Sequence, residues 1–402
     1  MKITIHRGTH QIGGISTEIC TENGRILIDM GEELSCDLSF ASTKLSIDGV
    51  TDKNGKCDAV LFTHYHGDHT GQMMNIREDI PLYIGALAKE ILLKSVEKTH
   101  PKDTAFINRI KGMSTFDGGD SLMLGDIRVT PYSIDHSACD SYMFLIEAEG
   151  KRILYTGDFR THGFRGKAIP KILGKIGKVD VVITEGTTFS RPCGYVVTER
   201  ELQGRIKAYM DRYKYVYVLC ASTNLERICA LSKATPRGKY FVCDQYQYEL
   251  LDLIEAHWQK HSPLYRNLKK CYYSDKIKQG MEQRGFLMMV RDNESFRKIM
   301  SQFDSNQSII LYSMWNGYRT NSSSTIPDFL KLAGVWEPFH TSGHASPSDV
   351  QKLINAVKPS FVIPIHTDAP EKMNVICGAA QTIVATDGEE IIIDEEHKRA
   401  IC

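Results

Sequence analysis

One eleven-residue stretch constrains this chain more than any other: Leu61-Phe62-Thr63-His64-Tyr65-His66-Gly67-Asp68-His69-Thr70-Gly71. It places three imidazoles and a carboxylate within six residues, directly after an apolar run at residues 58–62 that is typical of a buried strand. In an extended segment, residues two apart point to the same side, so His64 and His66 can reach one ion together. Gly67 permits a bend, and Asp68 and His69 follow at the start of a predicted helix. Imidazole nitrogen and carboxylate oxygen suit zinc or manganese, so the stretch predicts half of a two-metal site. The alternative is a polar loop that is rich in histidine by chance.

The composition is that of an ordinary globular protein. The chain has 402 residues and zero formal net charge, so no global basic field indicates a nucleic-acid partner. No apolar run approaches membrane-spanning length and the N-terminus alternates like a strand, so we expect a cytoplasmic protein without a membrane partner. Eleven cysteines without a Cys-x-x-Cys pair fit reduced thiols better than disulfides or a thiolate zinc site.

Charge and aromatic residues are concentrated in one part of the chain. Residues 201–300 contain eighteen Lys and Arg against eleven Asp and Glu, and ten of the eighteen tyrosines. Basic and aromatic side chains together favour single-stranded nucleic acid, through phosphate attraction and base stacking. The alternative is a solvated basic face with tyrosines that pack in the interior.

Further candidate ligands end apolar runs elsewhere. His136 and Asp158 each follow a strand-like run, and Asp29 and Glu185 each end one. Each residue alone is more often structural than functional. Together with the histidine stretch they give two sets: His64, His66 and His136 for one metal, and Asp68 and His69 for the second, with Asp158 bridging the pair.

The pattern of elements changes along the chain. Strand-like runs at residues 16–20 and 25–29 and a helix at 86–97 are followed, from about residue 196, by alternating helices and strands, including helices at 198–213 and 225–234 and strands at 215–220 and 308–312. This alternation predicts a small α/β unit with a parallel sheet. Two histidine segments, around His344 and His366, come after it. The predicted division is therefore 1–195, an insertion at 196–330, and 331–402.

These motifs resemble a known family. Asp29, the His64–His69 motif, His136 and Asp158 resemble the metal-site motifs of the metallo-β-lactamase fold. Glu185, His344 and His366 resemble the three additional motifs of its β-CASP nuclease branch. Within that branch, residues 222–227, Ser342-Gly343-His344-Ala345 and His366 are most similar to ribonuclease J and its bacterial relatives. The resemblance implies an α/β protein: a four-layer αββα sandwich built from both ends of the chain, with an inserted α/β β-CASP domain and RNA in the cleft between them.

The resemblance and general chemistry together imply a metal-dependent ribonuclease. Two divalent ions about 3.5–4 Å apart, Zn²⁺ or alternatively Mn²⁺, activate a water as hydroxide and bind the phosphodiester. Asp68, Asp29, Glu185 and His344 are the candidate catalytic residues. Asp29 would orient a ligand, and His344 would protonate the leaving oxygen while Glu185 holds its tautomer.

The resemblance also implies the remaining roles and the substrate. His366 would be a ligand of the second metal, and a histidine there goes with RNA substrates. Ser342, Gly343, His344, Ala345 and Ser346 are the predicted substrate-binding segment, and Ser313, Arg227 and Asn224 a candidate 5′-phosphate pocket. The expected substrate is single-stranded RNA, cut by 5′-3′ exonuclease activity and additionally by endonuclease activity. The alternatives are a small-molecule hydrolase, such as a lactonase or phosphodiesterase, and a non-catalytic RNA-binding scaffold.

Two departures from the family bear on this interpretation. Gly186-Thr187-Thr188 follows Glu185 where a Ser-Thr pair is more usual, which leaves the local turn open. The sequence also ends soon after Asp394, without the additional C-terminal domain that ribonuclease J uses in assembly, so homodimerisation stays open.

Overall fold

A computed structural model describes residues 1–34, 42–192, 194–393 and 400–401. Part of the predicted polar connection, the last residue of the final predicted strand, and Cys36, Cys193 and Cys402 lie outside the described residues. The strands, numbered β1 to β21 in chain order, are Lys2–Arg7, Ser16–Cys20, Arg25–Ile28, Ala59–Leu61, Leu82–Gly85, Ser114–Phe116, Leu122–Leu124, Ile127–Ile134, Ser141–Ala148, Lys151–Tyr155, Val181–Glu185, Tyr215–Leu219, Tyr240–Cys243, Cys271–Tyr272, Phe286–Val290, Ser308–Tyr312, Val335–Pro338, Phe361–Ile365, Gln381–Thr382, Glu390–Ile393 and Ala400–Ile401.

Twelve α-helices lie in the described residues. Numbered α1 to α12, they are Gly67–Thr70, Ala86–Thr99, Thr104–Lys111, Ile169–Ile176, Glu199–Arg212, Leu225–Ala234, Gln245–Trp258, Asp275–Arg284, Glu294–Met300, Asn316–Thr320, Ile326–Leu330 and Pro347–Val357. Short 3₁₀ turns occur at Met73–Asn75, Gly166–Ala168, Pro263–Tyr265, Ser305–Gln307 and Pro370–Val375. No helix in these ranges is long and apolar enough to cross a membrane.

Two mixed sheets form the core. The first has the order β21-β20-β1-β2-β3-β4-β5-β6, and the second β19-β18-β11-β10-β9-β8-β7. In chain order, each sheet starts with antiparallel strands and continues with parallel ones. The parallel strands are β3 to β6 in the first sheet, and β10, β11, β18 and β19 in the second. Strand β1 pairs with β20, Ile3 opposite Ile391, so early and late parts of the chain build one sheet.

Apolar side chains fill the space between these two sheets. Ile3, Ile28 and Leu61 of the first sheet belong to the same buried cluster as Phe144 and Ile363 of the second. Because every second residue of a strand faces the same side, the opposite faces of the sheets pack on helices. Helix α2 covers the first sheet, and helices α4 and α12 cover the second. The result is the predicted layered αββα sandwich.

A third sheet forms a separate α/β block. Its order is β14-β13-β15-β12-β16-β17, and every pairing in it is parallel. The apolar strands are buried on both faces, because helices α5 to α9 cover the sheet, as is usual for a parallel sheet. Strand β17 lies beyond residue 330, the predicted end of the insertion, and the sheet includes it because Trp336 pairs with Ile310. The division into domains stays a prediction, with this strand grouped with the inserted block.

Candidate metal centre

The predicted ligands follow strands that end at a common edge. Strands β3 and β4 run parallel, and Asp29 and His64 come just after them. Strands β10, β11 and β18 are also parallel, and Asp158, Glu185 and His366 lie at or after their carboxyl ends. Because parallel strands deliver their carboxyl ends to one edge, residues distant in sequence converge there.

One group consists of three imidazoles. His66 Nδ1 lies 3.0 Å from His64 Nε2 and 3.3 Å from His136 Nε2. Burial is the main reason why the pKa values of His64 and His136 are lowered, and it lowers the pKa of His66 to about 4. The rings are therefore neutral, and their free nitrogens converge as a first metal requires.

A second group combines two carboxylates with two imidazoles. Asp68, His69, Asp158 and His366 are buried and their ligand atoms lie within 4.8 Å of one another. Asp68 Oδ2 is 3.2 Å from His366 Nε2, and Asp158 Oδ2 is 3.3 Å from His69 Nε2. Burial alone would raise the pKa of both carboxyls, but His366 and His69 lower it, so both are ionised.

Unsatisfied atoms between the groups fit a metal ion. His69 Nε2 and Asp158 Oδ2 are buried without a hydrogen-bond partner. Asp158 Oδ2 also lies 3.8 Å from His136 Nε2 and 3.8 Å from His366 Nε2, so this oxygen faces both groups. Buried polar atoms without partners are rare, and here they have the donor types that divalent metals take. The site therefore fits divalent metal binding, with Asp158 between the two groups.

Hydrogen bonds on the far side of the rings select the nitrogens that face the centre. His69 Nδ1 donates to Asp29 Oδ2 at 2.8 Å, and His136 Nδ1 donates to the Gly343 carbonyl at 2.7 Å. The Thr187 hydroxyl donates to the His366 carbonyl at 3.2 Å, so its oxygen can accept from His366 Nδ1, which lies 2.8 Å away. Each bond leaves Nε2 free for a metal. The Asp29 carboxylate also accepts from Thr63 N at 2.8 Å, which fixes its own position.

The turn after Glu185, which departs from the family pattern, has a definite role. Gly186 donates its N–H to the Ile365 carbonyl at 3.0 Å, and a Cβ there would come within 3.0 Å of the Thr367 Cβ. Thr187 can then reach His366 with its hydroxyl. Sequence reasoning missed Thr187 as an orienting residue, although the close approach of backbone that a glycine permits was a usable signal.

The structure brings Glu185 and His344 together as predicted. His344 Nδ1 lies 2.9 Å from Glu185 Oε2, and Glu185 Oε1 accepts from Phe159 N at 2.8 Å. His344 also forms a possible third ligand group with His136 and Asp158. Burial lowers the pKa of His344, whereas Glu185 and Asp158 raise it, to about 9.

The residues of the predicted substrate-binding segment, 342–346, contact different parts of the protein. The Ser342 carbonyl accepts from His162 Nε2 at 2.8 Å. Ala345 is buried, and its carbonyl accepts from Thr188 Oγ1 at 2.6 Å. Ser346 caps helix α12 through Asp349 N and has its hydroxyl engaged there. Within this segment, only the His344 side chain contacts the centre.

A buried ion network joins the sandwich to the inserted block. The guanidiniums of Arg160 and Arg227 contact the Glu199 carboxylate at 2.7 and 2.6 Å, and Arg160 also pairs with Asp135 at 2.8 Å. Burial alone would raise the pKa of Glu199, but Arg227 and Arg160 lower it to about 2. These charges therefore persist at the interface between the first two sheets and the third.

The same network rules out one predicted role. Arg227 Nη1 donates to Ser313 Oγ at 3.1 Å, Nη2 donates to the Thr341 carbonyl at 3.0 Å, and Nε donates to Glu199 at 3.0 Å. Every nitrogen of the guanidinium is used within the protein. The prediction that Arg227 lines a phosphate pocket with Ser313 and Asn224 was therefore wrong for Arg227. Arg227 instead holds the backbone that leads into His344.

Comparison with known proteins agrees with this geometry. The family model of a beta-lactamase superfamily domain matches residues 24–196, and that of a Zn-dependent metallo-hydrolase RNA specificity domain matches residues 334–375. Ribonuclease J of Mycoplasma genitalium is 23% identical over 98% of this chain and 74% of its own. Ribonuclease J of Helicobacter pylori strain 26695 is 22% identical over 97% of this chain and 60% of its own.

A solved structure shares the fold. The crystal structure of a protein of unknown function from Enterococcus faecalis V583 has a TM-score of 0.78 and 20% identity, and the match covers 97% of this chain and 99% of that one. The matched domains cover both arms of the sandwich, including every predicted ligand from Asp29 to His366. The chain therefore contains a beta-lactamase superfamily domain and an RNA specificity domain of Zn-dependent metallo-hydrolases, and over nearly its whole length it is similar to ribonuclease J.

Proposed function

We propose that this protein hydrolyses the phosphodiester bonds of single-stranded RNA with two divalent metal ions, by 5′-3′ exonuclease activity and additional internal cleavage. The observation that carries the proposal is the convergence of two ligand groups on Asp158, with Glu185 and His344 beside them. The matched RNA specificity domain and the ribonuclease J relatives support RNA as the substrate. Zn²⁺ is the proposed metal, and Mn²⁺ suits the same donors.

Each residue has a role that its contacts support. His64, His66 and His136 would hold one ion, Asp68, His69 and His366 the other, and Asp158 would bridge them. When bound, such a pair of ions activates water and neutralises the charge of the phosphodiester. Asp29 and Thr187 orient the His69 and His366 rings.

His344 would protonate the leaving group. Because Glu185 accepts from Nδ1, the opposite ring nitrogen is the one that can donate a proton to the departing oxygen. The ring keeps 21% of its surface exposed, while Glu185 is buried behind it, so the ring can reach substrate and the carboxylate cannot. Location in the cytoplasm and homodimerisation remain predictions.

One assay tests this proposal. RNA and DNA oligomers with a label on an internal phosphate and with 5′ hydroxyl, monophosphate or triphosphate ends are incubated with the protein and Zn²⁺ or Mn²⁺. We expect mononucleotides from RNA, shorter internal fragments in smaller amount, and loss of both in Asp68→Ala. Asp211→Ala, an exposed carboxylate on helix α5, is the matched control and should cleave like the unmodified protein.

The assay also separates the alternatives. Hydrolysis that survives Asp68→Ala would refute the two-metal mechanism. RNA that stays intact while a lactone or a small phosphodiester is hydrolysed would favour the small-molecule enzyme instead. RNA binding without any hydrolysis, in protein shown to contain metal, would favour the scaffold.

A further inference from the structure

Arg191 lies next to the metal centre. Arg191 follows Glu185 through a tight turn in which Arg191 N donates to the Thr188 carbonyl at 3.1 Å, and Thr188 Oγ1 is bonded to the Ala345 carbonyl. The turn is thus attached to the loop that carries His344. Among the described residues, the Arg191 guanidinium makes neither a hydrogen bond nor an ion pair, and its recorded contact is the ring of Trp315 at 5.8 Å.

The surroundings of Arg191 leave its charge unsatisfied. The side chain is half-buried, and burial lowers its pKa while the carboxylates of Glu185 and Asp368 act in the opposite direction. A guanidinium stays charged in proteins, and a partly desolvated charge without a partner is unfavourable. An anion at this position would restore the missing hydrogen bonds, and phosphate suits the planar fork of arginine.

Trp315 belongs to a group of exposed aromatic rings. Trp315, Tyr318 and Trp336, here called the aromatic platform, expose 42%, 53% and 37% of their surfaces. The Trp315 and Tyr318 rings are 5.4 Å apart, edge to face, and Arg319 lies 5.0 Å over the Trp336 ring. Large aromatic side chains are ordinarily covered, so a cluster of exposed rings beside two guanidiniums indicates a binding surface.

The aromatic platform is continuous with the catalytic loop. Trp315 follows the carboxyl end of strand β16, and its carbonyl accepts from Tyr312 Oη at 2.8 Å. Arg227 bonds both Ser313, two residues before Trp315, and Thr341, three residues before His344. Trp336 lies on the adjacent strand β17. Through Trp315, the platform therefore meets Arg191 at the junction of the sandwich and the inserted block.

These contacts suit single-stranded nucleic acid better than a protein or a small molecule. Stacking on exposed rings takes any base, and arginine supplies the backbone contact, so the combination binds a strand without reading its sequence. We propose that Arg191 binds a backbone phosphate and Trp315 stacks the adjoining base of single-stranded RNA, with Tyr318 and Trp336 continuing the track away from the metal centre. This inference rests on the proposed ribonuclease function and specifies its substrate path.

The test measures binding and cleavage separately on the full chain. Binding of a fluorescein-labelled decauridylate is followed by anisotropy in EDTA, and cleavage of the same oligomer is followed in Zn²⁺ for KM and kcat. Trp315→Ala should weaken binding roughly tenfold and raise KM, since one stacked base contributes on that order. Trp315→Phe should recover much of the loss. Arg191→Gln should weaken binding and reduce the salt dependence by about 0.7 in log–log slope, as expected for one phosphate contact.

Matched controls and a modified oligomer sharpen the test. Tyr272→Ala removes an exposed ring at the opposite edge of the third sheet, and Arg237→Gln removes an exposed arginine; both should bind like the unmodified protein. An oligomer without bases should bind more weakly and should not respond to Trp315→Ala, but should still respond to Arg191→Gln. Melting temperatures of all variants verify that each is folded.

The outcomes distinguish this inference from the proposed function. Unchanged affinity in folded Trp315→Ala and Arg191→Gln would overturn the inference, even if RNA is cleaved. An equal loss for the oligomer with bases and the one without would overturn the stacking role of Trp315. If the variants lose binding as expected but the metal-loaded protein cuts no RNA, the binding track stands and the ribonuclease proposal fails.

Discussion

At the scale of single residues, the site depends on hydrogen bonds that choose which nitrogen each histidine presents. Asp29, Thr187 and the Gly343 carbonyl each take the Nδ1 proton of a different ring. Asp29 and His366 also have positive φ angles, 60° and 53°, in the left-handed region that non-glycine residues seldom occupy. Local backbone strain of this kind persists where surrounding contacts enforce it, and here it turns both side chains toward the centre.

Thr187→Val should weaken metal binding while keeping the volume of the side chain. Without the hydroxyl, His366 loses its orienting partner, and loss of such a contact typically reduces metal affinity about 10- to 100-fold. Competition with a chromophoric chelator measures the affinity. Thr99→Val, on the exposed side of helix α2, is the control. Equal affinity in the two variants would show that Thr187 does not orient the ligand.

The candidate ligands and the orienting role of Asp29 could be predicted from sequence, and the orienting role of Thr187 could not. His64, His66, Asp68 and His69 lie within one motif, so their spacing alone indicates a metal site. Thr187 is two residues from Glu185 in sequence but reaches a histidine from a neighbouring strand, and only the pairing of β11 with β18 makes that contact visible. The assignment of Arg227 to a phosphate pocket could not be corrected from sequence, because the burial of Arg227 against Glu199 has no signature in the local sequence.

At the scale of elements, the first turns of helices α5 and α6 supply charges to the interface between the sandwich and the inserted block. Helix α5 begins with Glu199, and helix α6 contributes Glu226 and Arg227 near its start. Glu226 pairs with Arg165 of the sandwich at 2.7 Å, and Tyr65 Oη donates to the Thr223 carbonyl at 2.7 Å. A helix terminus that lies in a buried network fixes the direction of the whole helix, so these contacts set how the inserted block sits over the centre.

Acid should destabilise this interface through Glu199. The folded-state pKa is about 2 and the ordinary value is 4.5, so the carboxylate contributes stability that is complete above pH 4.5 and is lost as the pH falls towards 2. The shift corresponds to about 3 kcal/mol. Urea unfolding between pH 5 and pH 3 should show the free energy of unfolding falling with pH, and falling less steeply in Glu199→Gln. Glu147→Gln, on the half-exposed Arg152 pair, should keep the original slope. Parallel slopes for all three proteins would exclude Glu199 as the source.

Helices and strands with a clear hydrophobic pattern were predicted well. A helix whose capping residues were interpreted as part of a binding segment was missed. Strands β2 and β16 and helix α6 have the predicted bounds. Helix α12 was not predicted, although Ser346 and Pro347 are a standard cap and first-turn pair, because residues 342–346 were interpreted only as a substrate segment. Strands β5 to β7, which were not predicted, have three or four residues each, too few for a periodic pattern to appear.

At the scale of the whole molecule, the centre lies where three sheets meet. The sandwich supplies every proposed ligand, and the inserted block supplies Trp315 and the network that holds Thr341. Of the ten tyrosines that suggested RNA binding from sequence, four are buried packing residues, five are partly buried, and Tyr272 is exposed at the far edge of the third sheet. The exposed rings beside the centre are largely tryptophans outside residues 201–300, which composition alone could not distinguish because burial depends on the sheet order.

Metal should stabilise the folded chain as a whole. Seven proposed ligands are brought together only in the folded state, so Zn²⁺ binds that state alone and, at one hundred times its Kd, stabilises it by about 2.7 kcal/mol. Differential scanning calorimetry should show a higher Tm with Zn²⁺ than in EDTA. Asp158→Ala should lose most of this difference, whereas Asp211→Ala should keep it. A Tm that does not respond to Zn²⁺ in the unmodified protein would contradict a centre built from these residues.

The sequence positions of the ligands have a consequence for synthesis on the ribosome. Asp68 and His366, whose side chains meet at 3.2 Å, are 298 residues apart, and strand β1 cannot pair with β20 until residues 390–393 have been made. A nascent chain therefore carries the histidine motif for most of its translation without a complete centre. An enzyme that cuts RNA is in this way inert beside its own messenger until His366 has left the exit tunnel.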